Sequence, residues 1–172
     1  MTGGETKNWT FHHLGVIVAD MGKVVEYYKS LGFVDFPPER PGGATSPTWQ
    51  EFTTYGETVI KDGQLLVPLK PGAKPGGLQF CRVGSMTLEL IQPGDGAFKT
   101  LHNDFLDTFG EGIDHIAYGV APENFEQEVE KMKVKGLPII MSGEQANGGG
   151  FVYFDTRKIG GLVIELMKVR GA

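Results

Sequence analysis

Two histidines and two glutamates stand at corresponding points of two similar stretches of this 172-residue chain. His13 opens His-Leu-Gly-Val-Ile-Val-Ala-Asp and His115 opens His-Ile-Ala-Tyr-Gly-Val-Ala-Pro; Glu89 lies in Gly84-Ser-Met-Thr-Leu-Glu89-Leu and Glu165 in Gly160-Gly-Leu-Val-Ile-Glu165-Leu. Two imidazoles and two carboxylates suit a divalent ion of borderline hardness, and Zn, Co, Mn, Ni and Fe(II) all accept such a set. If the ion is octahedral, four protein ligands leave two positions for waters or for a bidentate substrate. A single histidine at the start of a strand is ordinarily a core or surface residue, and a strand glutamate even more so. The repeat is what singles these four out. Glu89 lies between Leu88 and Leu90 and Glu165 between Ile164 and Leu166, and a carboxylate buried among such neighbours needs a partner.

The elements around them predict how they are positioned. Phe11 to Val18 reads as a strand, with the adjacent His12 and His13 on opposite faces. Asp20 is placed as a helix N-cap; Met21, Val24, Val25, Tyr28 and Leu31 recur at helical spacing, and Gly32 stops the helix. Leu78–Val83 and Met86–Gln92 read as an antiparallel hairpin around Gly84-Ser85. Phe98, Leu101, Phe105 and Phe109 space out as a connecting helix, which also carries His102, read as structural or surface. The order then restarts: a strand from His115 to Val120, a helix opened by Pro122 with Phe125, Val129 and Met132 as its buried stripe, a stop at Gly136, and strands at Ile139-Ile140, Phe151–Asp155 and Leu162–Val169.

Each pass is therefore βαβββ, and the expected class is α+β, two tandem modules pairing curved sheets around a metal-binding cleft. The boundaries are one domain over 1–172, a first module at 9–95, a connecting helix at 96–112 and a second module at 113–170. His13 and Glu89 are 76 positions apart and His115 and Glu165 are 50, so the first module carries 26 extra residues. They fall in the Pro- and Gly-rich stretch of about 38–77, with Pro37-Pro38 and Pro41-Gly42-Gly43, and with short strands expected at Gln50–Thr54 and Gln64–Val67. This insertion reads as an elaborated loop or hairpin, a lid over the cleft or an oligomer contact, and it carries Trp49, Phe52 and Tyr55.

Bulk properties narrow the partners. A net charge of −5 with acids and bases intermixed offers no footprint for nucleic acid, which leaves a small molecule. No apolar run reaches the roughly 18–20 residues that span a bilayer. The single cysteine, Cys81, cannot form an internal disulfide, and Met1 to Asn8 has no signal-peptide pattern, so a reducing cytoplasm is expected. Gly148-Gly149-Gly150, followed by Arg157 and Lys158, is either an anion cradle or a turn with solvated charges.

The motifs His12-His13-Leu-Gly-Val-Ile-Val-Ala-Asp20, Leu88-Glu89-Leu-Ile-Gln-Pro93, Phe105-Leu-Asp-Thr-Phe-Gly-Glu-Gly-Ile-Asp-His115-Ile-Ala and Gly160-Gly-Leu-Val-Ile-Glu165-Leu resemble the vicinal oxygen chelate (glyoxalase/bleomycin resistance/dioxygenase) superfamily, and within it the methylmalonyl-CoA epimerase-like branch. The resemblance covers nearly the whole chain outside the insertion. It implies His13, Glu89, His115 and Glu165 as metal ligands, with Glu89 in a position that is Gln in some epimerases. It implies proton abstraction next to a carbonyl, with the enolate stabilised by the metal and Glu165 or Glu89 as the base. It also implies an acyl-CoA or related carbonyl substrate and a homodimer. Some epimerases carry a further glutamate on the strand matching Leu78–Val83, where this chain has Gln79, which cannot act as a base. A lactoylglutathione lyase-type isomerase fits the same four residues. An extradiol dioxygenase fits less well, because Glu89 would be a surplus ligand. A metal-free binding or resistance protein of this fold needs none of the four.

Overall fold

The computed structural model describes residues 6–37, 49–158 and 160–169. The first five residues of the amino-terminal segment, Pro38 and the Pro41-Gly42-Gly43 punctuation lie outside them. In chain order the elements are β1 (Thr10–Ile17), α1 (Met21–Leu31), β2 (Val34–Asp35), β3 (Trp49–Thr54), β4 (Glu57–Lys61), β5 (Gln64–Leu65), β6 (Gly77–Val83) and β7 (Met86–Gln92). Then come α2 (Leu101–Phe109), β8 (Gly112–Val120), α3 (Pro122–Val134), β9 (Ile139–Gln145), β10 (Gly150–Phe154) and β11 (Val163–Lys168). The class is α+β, as expected, and no helix among the described residues is long and apolar enough to cross a membrane. The chain divides into two compact units. Residues within 13–48 and 67–114 form one, called the His13 unit; residues within 1–12, 49–66 and 115–172 form the other, the His115 unit.

In the His13 unit the strands run β2-β6-β7-β1. The β6–β7 hairpin turns at Gly84-Ser85, with Val83 opposite Met86 and Gly84 at φ 60°, a left-handed conformation that glycine adopts without strain. β1 lies parallel to β7. The Asp20 side chain caps α1 by accepting from the Lys23 N–H at 3.1 Å, and Gly32 closes it at φ 74°. The α1 side chains Met21, Val24, Val25 and Tyr28 pack on Val16, Val18, Cys81 and Leu90. Leu31, expected in that stripe, is exposed. Burial pushes the Cys81 thiol up, so it is a packing residue rather than a reactive one.

The connecting helix departs from its expected stripe. Phe98 precedes α2 and Phe109 is 72% exposed, whereas Leu101 and His102 are the buried residues. His102 is structural: its Nδ1 lies 2.9 Å from a carboxylate oxygen of buried Asp114, tying α2 to the start of β8.

The His115 unit has the order β8-β11-β10-β9-β3-β4-β5. Here α3 starts on Pro122 and lays Phe125, Val129 and Met132 on Val120, Val152, Phe154 and Leu166. Its fourth buried residue is Glu128, which accepts hydrogen bonds from Asn8 at 2.9 Å, Trp9 Nε1 at 2.9 Å and Lys131 at 2.7 Å. Burial by itself pushes this carboxyl up, but the three hydrogen bonds outweigh it and hold it below its ordinary value.

The insertion is neither a surface loop nor a lone hairpin over its described part. Residues 49–65 form a three-stranded meander that continues the second module's sheet, β3 pairing antiparallel with β9, then β4 with β3 and β5 with β4. The strand Glu57–Lys61 is additional to the two short strands expected there. Neither flank of β3 specifies which sheet edge it joins; that pairing is long-range.

Candidate metal centre

Strand register decides which side chains share a face with each histidine. In the His13 unit, Gly15 is the Cα partner of Glu89 across the parallel β1–β7 pair. In the His115 unit, Ala117 is the partner of Glu165 across the parallel β8–β11 pair. Each glutamate thus lies opposite the residue two positions after its histidine. Because side chains alternate with period two, histidine and glutamate share one face in both units. The opposite faces carry the helix-packed residues, Val16 and Leu90 in one unit and Val120 and Leu166 in the other.

The two pairs are built alike. His13 Nε2 is 3.1 Å from Glu89 Oε2, and His115 Nε2 is 3.4 Å from Glu165 Oε2. All four residues are buried, the histidines completely. Two donors each about 2.1 Å from one ion, at angles between octahedral and tetrahedral, lie roughly 3.0–3.4 Å apart, so each pair has the spacing of two ligands on one ion. The donor chemistry fits as well, since a neutral imidazole and a carboxylate are standard partners for the metals named above. The structure therefore brings together His13 with Glu89 in one unit and His115 with Glu165 in the other. His12, on alternate register from His13, is half-buried and outside this face.

Register also identifies two residues that sequence reading missed. Phe80 is the ladder partner of Glu89 and Tyr153 that of Glu165, so an aromatic ring flanks each pair at the same point of the repeat. The Phe80 ring stands edge-on to His13, 5.6 Å between centroids at 76°. Tyr153 stands edge-on to His115 at 4.9 Å and 86°, and its hydroxyl lies 3.4 Å from His115 Nε2. Matching the glutamates and reading backwards hides this equivalence, because the β6–β7 turn is two residues and the β10–β11 connection is longer. Gln79, which occupies the strand where some epimerases carry a further glutamate, pairs with Leu90 and sends its amide to the Phe80 carbonyl. It belongs to the other face, and the site-facing residue of that strand is Phe80.

The glycine turn is a turn. The N–H of Gly148 donates to the Gln145 carbonyl at 2.9 Å and that of Gly149 to Asn147 Oδ1 at 2.9 Å, so both point into the loop and neither is aimed at an outside anion. Arg157 is held by Asp155 through contacts of 2.9 and 2.7 Å, and those hydrogen bonds keep the Asp155 carboxyl below its ordinary value.

The sequence pattern of the glyoxalase/bleomycin resistance protein/dioxygenase superfamily matches residues 12–154, and the chain belongs to that superfamily. Among solved structures, a hypothetical protein from Bacillus halodurans C-125 is similar over 96% of this chain and 98% of its own, at 19% identity and a TM-score of 0.60. Methylmalonyl-CoA epimerase from Mycobacterium tuberculosis aligns over 92% of this chain and 86% of its own, with 17% identity and a TM-score of 0.56. A variant of Streptomyces coelicolor methylmalonyl-CoA epimerase, in complex with 2-nitronate-propionyl-CoA, aligns over 94% of this chain and 97% of its own, with 16% identity and a TM-score of 0.52. No curated protein matches the sequence. At such identities the likeness is one of fold.

Proposed function

We propose that His13, Glu89, His115 and Glu165 are the ligands of a single divalent metal ion, and that the protein is a metal-dependent isomerase of the methylmalonyl-CoA epimerase kind. The observation that carries this is the equal register of the two pairs, each glutamate opposite the residue two after its histidine. A binding protein that needs no metal has no use for these four donors, and their ligand spacing in both pairs favours the metal reading. Fold similarity to epimerases, one of them holding an acyl-CoA ligand, supports a carbonyl acid or acyl-CoA substrate.

When bound, the ion acts as a Lewis acid on the substrate carbonyl, which can stabilise the anion next to it by several kcal/mol. The residues of the chain do the rest. Glu165 or Glu89 accepts the proton from the carbon beside the carbonyl and returns it, a role open to carboxylates already on the reacting face. Phe80 and Tyr153 wall that face with aromatic surface and exclude water from the two pairs. On the strand β6 no acid faces the pair, which favours Glu89 or Glu165 as the base.

Metal content of the purified protein, together with solvent-proton exchange at C2 of methylmalonyl-CoA in D₂O followed by NMR, tests the proposal. One equivalent of metal with exchange is expected. Absence of stoichiometric metal, or metal content unchanged in His115→Ala, overturns it. Turnover of a glutathione hemithioacetal without exchange would reassign the chemistry to the lactoylglutathione lyase type.

A further inference from the structure

We infer that the Tyr153 hydroxyl is the hydrogen-bond donor to the substrate oxygen that gains negative charge, a residue-level role that rests on the metal-dependent reading above. Tyr153 is 3% exposed, directly opposite Glu165 in the β10–β11 ladder, with its hydroxyl 3.4 Å from His115 Nε2. An imidazole nitrogen has one lone pair. When Nε2 uses it as a ligand atom, that nitrogen no longer accepts the phenolic proton, which can then be directed to another acceptor on the same face. A substrate oxygen held beside the ligand set is such an acceptor. A donor fixed in a dry site and aimed at developing charge is worth more there than in water.

The surroundings of Tyr153 hold its ring in place. It meets Phe151 edge-on at 5.3 Å; Phe151 in turn meets Trp49 at 5.2 Å and Phe52 at 5.8 Å. Trp49 and Phe52 come from β3, so the insertion backs the wall that carries the hydroxyl. Gly143 lies beneath these rings: a Cβ there would fall 2.7 Å from the Phe151 ring and 2.9 Å from Trp49. The repeat supplies its own control. The equivalent residue beside His13 is Phe80, which has the ring without the hydroxyl. Aromatic packing against the histidine is therefore common to both halves, and the oxygen is particular to one.

The test compares the wild-type protein with Tyr153→Phe, a substitution that reproduces the Phe80 arrangement and keeps the packing. Co²⁺ binding is measured by titration calorimetry, and oxalate, a planar dianion with adjacent oxygens, is then titrated into the Co²⁺-loaded protein. Removing a hydrogen bond to a charged acceptor should weaken oxalate binding roughly ten- to hundredfold, with Co²⁺ affinity and thermal midpoint unchanged. Equal oxalate affinity in the two proteins, or no oxalate binding to the wild type, overturns the role of Tyr153 while leaving the metal reading in place. A loss of Co²⁺ affinity equal to or larger than the loss for oxalate also overturns it, since the hydroxyl would then serve the ligand Glu165 or His115. Failure of the wild type to bind Co²⁺ at all overturns the metal reading, and this inference with it.

Discussion

The His13–Glu89 half and the His115–Glu165 half use one plan with different support. Both set histidine and glutamate on the same face through the same register offset and flank the pair with an aromatic ring. They differ in three ways. The second half has a hydroxyl on that ring, and its wall is extended by Phe151, Phe52 and Trp49, whereas the site two residues before Phe80 is Leu78, which is 47% exposed. Its helix α3 also buries a carboxylate, while α1 buries no residue completely. The two halves thus share the histidine–glutamate register, and their differences lie in what surrounds it. If the four residues are one ligand set, as proposed, that role constrains both halves equally, and the differences around them are free to serve another purpose.

The strongest way to break this comparison is to remove one histidine at a time. If both halves contribute equally, His13→Ala and His115→Ala each abolish stoichiometric metal, a loss beyond the ~10–100-fold in affinity that residues outside a ligand set cost; elemental analysis of the purified variants reads this. Metal retained fully in one variant would show that a single half suffices.

Next in size is the buried carboxylate of α3. Glu128→Ala leaves Asn8, Trp9 and Lys131 without their acceptor and should cost about 2 kcal/mol in urea unfolding at pH 7. Glu26→Ala on the exposed face of α1 should stay within about 0.5 kcal/mol. The hydrogen bonds hold the folded-state pKa of Glu128 below its ordinary value of 4.5. Its contribution is therefore present above that value and declines as pH falls through the lowered one. Accordingly the stability gap between wild type and Glu128→Gln should narrow below about pH 4.5. A gap that widens on acidification would contradict the assignment.

The aromatic wall sets a smaller contrast. Gly143→Ala drives a methyl into the Phe151 and Trp49 rings and should destabilise by about 1–3 kcal/mol, with a shift in tryptophan emission from Trp49. The smallest effect on stability is expected from exchanging the two aromatic residues, Phe80→Tyr with Tyr153→Phe, at under about 1.5 kcal/mol. Oxalate affinity of the Co²⁺ form should then stay at the Tyr153→Phe level. Recovery to the wild-type level would show that the two halves are interchangeable.

Much of this was legible in the residues. Asp20 and Gly32 delimit α1, Pro122 opens α3, Gly84-Ser85 turns the β6–β7 hairpin, and the four ligand candidates stand out because the motif occurs twice. Each of these signals lies within a few positions of the structure it specifies. Misreadings arose where a side chain's meaning depends on a distant strand. Leu31 and Phe109 have helical spacing but no surface to cover, and Gln79 is adjacent to the site-facing position yet on the opposite face. Phe80 and Tyr153 are equivalent only in register, since loops of different length separate them from their glutamates.

The sequence by itself determined the duplicated βαβββ order, the helix ends and the four His and Glu candidates, because periodicity and capping are local and a repeated motif is visible in the chain itself. Tertiary structure decided that β3 joins the edge of β9, that Glu128 receives Asn8 and Trp9 from about 120 positions away, and that one half's ring carries a hydroxyl beside its histidine. Backbone hydrogen bonds of an edge strand are the same whichever partner they meet, so such pairings are chosen by the packing of the whole and not by any one segment.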